Sequence, residues 1–115
     1  MGKYANARKP EREGKKIVVG AADAVPPGRG ATVELAGGAE VALFNVNGEF
    51  YAIENFCPHK GAPLADGKLD GNLIECELHG WQFDVRTGEC LEKKRDCSIE
   101  AYEVIIEDEM IKILI

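Results

Sequence analysis

Two short motifs in the middle of the chain carry the residue types that bind metals. The first is Cys-x-His, formed by Cys57 and His59, and the second is Cys-x-x-His, formed by Cys76 and His79. Together they offer two thiolates and two imidazoles, which are donors that zinc and iron accept. The chain of 115 residues has no other histidine. The two motifs therefore predict a four-ligand metal site.

The distribution of the donors between the motifs favours one kind of metal centre. A mononuclear zinc finger usually takes both cysteines from one turn and both histidines from another. Here each turn supplies one of each, which suits two neighbouring irons, one bound by sulfur and the other by nitrogen. The pattern favours a binuclear iron–sulfur cluster with mixed ligands, and a zinc site is the alternative.

The segments around these motifs have the pattern of strands and turns. Short apolar runs alternate with turn residues, and no segment has apolar residues at helical spacing. Asn47-Gly48 lies between two apolar runs, which is a strong hairpin signal. We expect an all-β fold of short antiparallel strands. The predicted strands are 15–20, 31–35, 40–46, 49–54, 73–76, 82–85, 102–106 and 110–115.

The chain is short enough to form one domain. Residues 55–83 interrupt the rhythm of strands and contain both motifs, so they are expected to form a small cluster-binding subdomain on the β framework. The domain is expected over 15–115. The basic stretch at residues 1–14 is expected to be a disordered tail.

The charge of the chain excludes some functions. The net charge is -6, and residues 1–16 carry six basic and two acidic side chains, so the remaining residues carry -10. An acidic body argues against nucleic acid as a partner. It suits a basic patch on a protein partner. No apolar run reaches the roughly 20 residues of a membrane span, and no secretory h-region is present, so a cytoplasmic location is expected.

Two further cysteines lie outside the motifs. Cys90 and Cys97 have no histidine near them in the sequence, and neither is predicted to bind metal. In a cytosolic compartment we expect buried or half-buried free thiols, with a local disulfide or an oxidation-sensitive site as the alternatives.

With these motifs the chain resembles the Rieske ferredoxin family, in particular the small members that serve oxygenases and the small subunit of assimilatory nitrite reductases. The segments 49–53, 62–64 and 83–88 look like family sequence around the same landmarks. The resemblance covers about residues 15–115. It implies a Rieske-type antiparallel β-sandwich with an inserted cluster-binding subdomain, and one Rieske-type [2Fe-2S] cluster. Its implied ligands are Cys57 and Cys76 for the inner iron, and His59 and His79 for the outer iron.

The resemblance also implies a function. The chain has no catalytic set and no phosphate-binding glycine motif, so it is interpreted as an electron-transfer component rather than a stand-alone catalyst. Its expected partners are proteins, namely a reductase and a terminal oxygenase or reductase, and no small-molecule substrate of its own is expected. The alternatives are a subunit of a larger enzyme such as nitrite reductase, and a zinc-stabilised interaction module.

Departures from the family bear on the reduction potential. High-potential members have a disulfide at the positions of Ala62 and Leu78, and hydroxyl side chains at the positions of Trp81 and Phe83. Hydrogen bonds to cluster sulfur raise the potential. We therefore predict a midpoint in the lower part of the Rieske span of about -150 to +300 mV. Many relatives also have a proline in the segment 95–98, where this chain has none.

Overall fold

The computed structural model describes residues 9–10, 12–58, 62–77, 80–92 and 97–115. This part of the chain contains ten strands and three short 3-10 helices, but no α-helix and no helix suited to crossing a bilayer. All strand pairs are antiparallel, which confirms the predicted all-β fold. The strands are β1 (Lys16–Ala21), β2 (Gly30–Glu34), β3 (Glu40–Val46), β4 (Glu49–Glu54), β5 (Lys68–Asp70), β6 (Leu73–Glu75), β7 (Gln82–Asp84), β8 (Ala101–Tyr102), β9 (Val104–Glu107) and β10 (Met110–Leu114). The 3-10 helices are Ala22–Ala24, Ala36–Gly38 and Leu64–Asp66.

The first sheet has the order β1-β10-β9 and joins two distant parts of the sequence. β1 pairs with β10 from Lys16 opposite Leu114 to Ala21 opposite Met110. β9 and β10 form the predicted closing hairpin. The predicted strand 102–106 is divided there, because Tyr102 belongs to β8 in another sheet.

The second sheet has the order β2-β3-β4-β8. β3 and β4 have the predicted bounds and are joined by the predicted Asn-Gly turn, in which Asn47 has φ 53° and Gly48 has φ 93°. The Asn45 side chain fixes this turn, since its Oδ1 accepts a hydrogen bond from the Gly48 N–H at 2.7 Å.

β3 is buried on both faces, although alternate residues of a strand point to opposite sides. Val41 and Leu43 pack in one core with residues of the first sheet. Ala42 and Phe44 pack in a second core, which contains Cys57. The second sheet therefore lies between the first sheet and the part of the molecule that carries the metal-binding motifs.

The third sheet, β5-β6-β7, joins neighbouring segments of the chain in sequence order. It spans residues 68–84 and therefore falls almost entirely within the expected subdomain of 55–83. β5 was not among the predicted strands, because Leu69 is the one apolar residue in its three positions. Its pairing with β6 rather than its own sequence makes it a strand.

The expectation of free thiols at Cys90 and Cys97 is wrong, since the structure joins them in a disulfide with their Cα atoms 5.5 Å apart. That separation is usual for a disulfide. The chain turns back on itself between them: the Ile99 N–H donates to the Gly88 carbonyl oxygen at 2.9 Å. This proximity arises from tertiary folding and is not visible in the sequence.

Part of the basic N-terminal stretch lies against the body. Pro10 is buried, and Lys9 Nζ is 3.1 Å from a carboxylate oxygen of Glu100. The Arg12 guanidinium lies 4.3 Å from the centre of the Tyr102 ring and donates to the Ala101 carbonyl oxygen at 2.9 Å. The described residues of this stretch therefore differ from the expected disorder, whereas 1–8 and 11 lie outside the described residues.

Candidate metal centre

The first motif begins three residues after β4. The Cys57 side chain has an exposed fraction of 0%. Its backbone N–H donates to the Ala62 carbonyl oxygen at 2.9 Å. That bond joins the start of the first motif to Ala62, which is itself fully buried.

The second motif begins where β6 ends. Cys76 is buried as well, with an exposed fraction of 1%. Its backbone N–H donates to the Trp81 carbonyl oxygen at 2.7 Å, and its own carbonyl oxygen accepts from the Gly80 N–H at 3.0 Å. β7 starts directly after this turn. The third sheet thus supplies the strands on both sides of the second motif.

The two turns are built alike. In each, the cysteine N–H donates to a carbonyl oxygen five residues later, from Cys57 to Ala62 and from Cys76 to Trp81. Both cysteines belong to one buried cluster, so the fold brings them together from separate sheets. The other buried members of this cluster are Ala42, Phe44, Ile53, Ala62, Leu64, Ile74, Phe83 and Val85.

The predicted histidines lie outside the described residues. His59 and His79 each fall, in sequence, between the two residues that a closing hydrogen bond joins. Their assignment as ligands stays a prediction. Leu78 is also outside the described residues, whereas Phe83 is fully buried and Trp81 packs against the same cluster.

Asn55 is a supporting residue that the sequence analysis missed. Its side chain has an exposed fraction of only 2%. The Nδ2 group donates to Thr32 Oγ1 and to Glu40 Oε1, both at 3.0 Å, and Oδ1 accepts from the Ala65 N–H at 2.9 Å. Asn55 therefore ties the chain before the first turn to the helix after it and to β2 and β3. The available signal was an amide side chain two positions before a ligand cysteine, at the end of an apolar strand.

A charged pair lies where the chain leaves the third sheet. Arg86 Nη2 and Nε donate to the two carboxylate oxygens of Asp84 at 2.8 and 3.1 Å. The side-chain hydrogen bond from Arg86 is the main cause that holds the pKa of Asp84 below its ordinary value, and partial burial opposes it. The same pairing raises the pKa of Arg86. The pair fixes the turn that follows β7.

Comparison with known proteins identifies the family. The family model for the Rieske [2Fe-2S] domain matches residues 15–103. The chain belongs to the Rieske [2Fe-2S] family. It is 47% identical over 79 residues to the ferredoxin component of the naphthalene 1,2-dioxygenase system of Pseudomonas putida, which covers 69% of this chain and 73% of that protein.

Solved structures in this family share the fold. One is a chain in the complex of reduced oxygenase and oxidised ferredoxin in carbazole 1,9a-dioxygenase, with a TM-score of 0.81 at 32% identity, covering 89% of this chain and 94% of that chain. Another is assigned to an NADH-dependent nitrite reductase small subunit of Mycobacterium tuberculosis, with a TM-score of 0.78 at 27% identity, covering 86% and 93%. The predicted Rieske-type sandwich with an inserted subdomain is thereby confirmed.

A Rieske-type [2Fe-2S] cluster is the cofactor of this family, and the residues present fit it. The described part of the centre supplies two buried cysteine side chains, one from each matching turn. Thiolates are the donors that one iron of such a cluster takes. The second iron of such a cluster takes nitrogen donors, which His59 and His79 of the two motifs would provide; both lie outside the described residues.

Proposed function

We propose that this Rieske protein carries single electrons from a reductase to a terminal oxygenase. The observation that supports it most is the burial of Cys57 and Cys76 in one core, each at the start of a matching turn. The similarity to ferredoxin components of dioxygenase systems supports the choice of partners.

In this proposal the thiolates of Cys57 and Cys76 bind one iron, and the imidazoles of His59 and His79 bind the other. When bound, the cluster supplies the one-electron chemistry. The protein holds the ligands in place. Burial of both cysteines keeps water away from their sulfur atoms, since both have exposed fractions near zero.

The frame around the turns favours electron transfer because it restricts movement of the ligands. Each cysteine has its backbone N–H fixed by the hydrogen bond that closes its turn. Asn55 fixes the entry to the first turn by three further hydrogen bonds, and the third sheet fixes both sides of the second. Ligands held on rigid elements keep their geometry when the charge of the centre changes.

We propose protein partners with basic docking surfaces and a location in the cytoplasm. Residues 17–115 carry a net charge of -10, since the chain total is -6 and residues 1–16 contribute +4. Association with a basic partner should then slow as salt is added, because exposed charges are screened over about 10 Å at 0.1 M salt.

The test is an EPR spectrum of anaerobically purified, dithionite-reduced protein, together with iron and acid-labile sulfide analysis. We expect a rhombic signal of low average g-value and two irons and two sulfides per chain. The His79→Ala variant should lose this signal, whereas Lys68→Ala, an exposed change in the same subdomain, should keep it. A His79→Ala variant with a normal signal contradicts the ligand assignment.

Other outcomes identify the alternatives. One zinc per chain without sulfide supports the zinc module and excludes the carrier. Elution of the native protein in a stable complex with a larger reductase supports the subunit role that the nitrite reductase structure suggests. A carrier elutes alone and is oxidised by a terminal oxygenase at a rate that falls with salt.

A further inference from the structure

A second pair of cysteines lies beside the metal centre. Cys90 and Cys97 are seven positions apart and are joined by a disulfide. Neither belongs to the ligand motifs. The bond closes a covalent ring of eight residues, of which 90–92 and 97 are described.

The Cys90 end of the bond is attached to the second turn through β7. Cys90 forms an isolated antiparallel bridge with Phe83 of β7. The next residue, Leu91, donates its N–H to the Gln82 carbonyl oxygen at 2.9 Å. Cys90 also packs against the buried cluster that contains Cys57 and Cys76.

The Cys97 end of the bond is attached to the sheet that carries the first turn. Cys97 is followed by Ile99, whose N–H donates to Gly88, and then by β8. β8 pairs with β4, in which Ile53 lies opposite Ala101. The disulfide therefore joins the chain that leaves the second turn to the chain that returns beside the first.

The two cysteine pairs differ in exposure. Cys57 and Cys76 are fully buried, whereas Cys90 is half-buried and thus the more accessible end of the disulfide, since Cys97 is only 6% exposed. Cys97 Sγ lies 3.9 Å from the Glu92 carbonyl oxygen, which can accept the S–H that forms when the bond breaks. A dithiol can therefore attack at Cys90 without reaching the ligand thiols.

We propose that the Cys90–Cys97 disulfide is a thiol–disulfide exchange site for a protein or small dithiol, and that its state sets how long the protein keeps its cluster. The inference rests on the proposed function for the cytoplasmic location and for the nearby centre. Disulfides that occur in a reducing compartment are usually transient and redox-sensing.

The exchange balances in two displacements. A thiolate of the dithiol forms a bond with Cys90 Sγ, while the bond to Cys97 breaks and that sulfur leaves as a thiolate and takes a proton. The second thiol of the reductant then displaces Cys90, which is protonated in turn. The dithiol becomes a disulfide, and the protein gains two electrons and two protons.

Reduction should loosen the chain around the second turn. The disulfide closes a ring of eight residues and so lowers the conformational entropy of the locally unfolded chain. When the bond is reduced, the loop-closure relation predicts that the equilibrium constant for local unfolding rises by at most about 60-fold. We expect cluster loss to accelerate by about fivefold or more, because opening exposes the ligand sulfurs.

The experiment uses the purified holoprotein in a series of dithiothreitol redox buffers. Alkylation followed by mass spectrometry measures the state of Cys90 and Cys97, and visible absorbance in the presence of an iron chelator measures cluster loss. In the double variant Cys90→Ser/Cys97→Ser, loss should be as fast as in the reduced wild type and insensitive to dithiothreitol. The control Glu89→Gln, an exposed change next to Cys90 in the sequence, keeps both cysteines and should behave as the wild type does.

Two results overturn the inference. The first is alkylation of both cysteines in air-oxidised protein, which means that the bond does not form. The second is equal cluster loss, within about twofold, in the oxidised and reduced forms. If the protein holds no iron and sulfide, the proposed function fails, but alkylation still reports whether the disulfide forms. In that case, a thermal unfolding midpoint that is the same for the oxidised and reduced disulfide overturns the inference.

Discussion

Replacing Asn55 by alanine removes three hydrogen bonds next to the turn of the Cys-x-His motif, and we expect the free energy of unfolding to fall by about 3 kcal/mol. The amide donates to Thr32 and Glu40 and accepts from Ala65, at 2.9 to 3.0 Å. A hydrogen bond contributes about 1 kcal/mol net, so the loss of all three accounts for about 3 kcal/mol. The whole stability of a domain is only about 5–15 kcal/mol, so the loss is large.

The assay is thermal unfolding of the holoprotein, followed by circular dichroism and by the visible absorbance of the cluster. A loss of 3 kcal/mol in a domain of this size lowers the midpoint by roughly 10–20 °C. The visible signal should disappear at or below the temperature at which the strands unfold, because the first turn is the part that loses its anchor.

Asn55→Asp is the matched variant. It keeps the acceptor for Ala65 but places a carboxylate against that of Glu40 in a site with 2% exposure. The neighbouring charge and burial should raise the pKa of the new aspartate above the unfolded value of about 3.9. The folded state then binds the proton more tightly, so the stability of this variant should rise as the pH falls from 8 to 5.

The alanine variant lacks this group, and its difference from the wild type should change little over the same range. An Asn55→Ala midpoint within about 3 °C of the wild type refutes the anchoring role. If the stability of Asn55→Asp relative to the wild type falls as the pH falls, the predicted rise in the pKa of the new aspartate is wrong.

Three further substitutions test other parts of the fold. Gly88→Ala should lower the free energy of unfolding by about 2–3 kcal/mol, because its Cβ would overlap a backbone carbonyl group. Gly37→Ala has a similar positive φ but open space around it, so it should lower the free energy by only about 1 kcal/mol. Equal thermal midpoints for the two variants contradict the role of the close contact. Arg86→Ala should lower the free energy of unfolding only slightly at pH 7, since the Arg86 side chain is exposed to solvent. Because Arg86 lowers the pKa of Asp84, the difference should shrink as the pH falls below about 4, and a difference that grows contradicts it. Tyr102→Phe should raise the free energy of unfolding by up to about 1 kcal/mol, because the buried hydroxyl has no hydrogen-bond partner among the described residues. A clear fall in the thermal midpoint contradicts this.

The reduction potential predicted from Phe83 and Trp81 needs a separate measurement. Neither side chain has a hydroxyl to donate toward sulfur, and both contact the core that holds the ligand cysteines. Protein-film voltammetry should give a midpoint in the lower part of the Rieske span, and a value above roughly +150 mV contradicts the inference.

The strands that were predictable are those whose own residues determine them. β3 and β4 have long apolar runs and an Asn-Gly turn between them, and their bounds are as predicted. β5 was missed, and β8 was merged with β9 in one predicted strand, because they have only three and two residues. Strands this short show no alternating pattern of their own.

The Cys-x-His and Cys-x-x-His motifs could be recognised in the sequence because cysteine and histidine are few and closely spaced, and the binding of metal by their four residues stays a prediction. The burial of Cys57 and Cys76 in one core agrees with that prediction. The hydrogen-bonding role of Asn55 and the disulfide at Cys90 could not be recognised from the sequence alone. Their roles depend on the distance between segments, and an asparagine or a cysteine has the same appearance in a sequence whether its partner is near or not.

The pairing of β1 with β10 has a consequence for the order in which the molecule folds. Lys16 lies opposite Leu114, so the first sheet closes a loop of nearly the whole described chain, whereas the third sheet pairs only neighbouring segments. Closing long loops costs more entropy and slows folding. During synthesis β5, β6 and β7 can pair while β10 is still missing, so the second ligand turn can form before the sandwich is complete. A circular permutant that links the two ends and opens the chain in the Asn47-Gly48 turn reverses this order, because it makes β1 and β10 neighbours in sequence and separates β3 from β4.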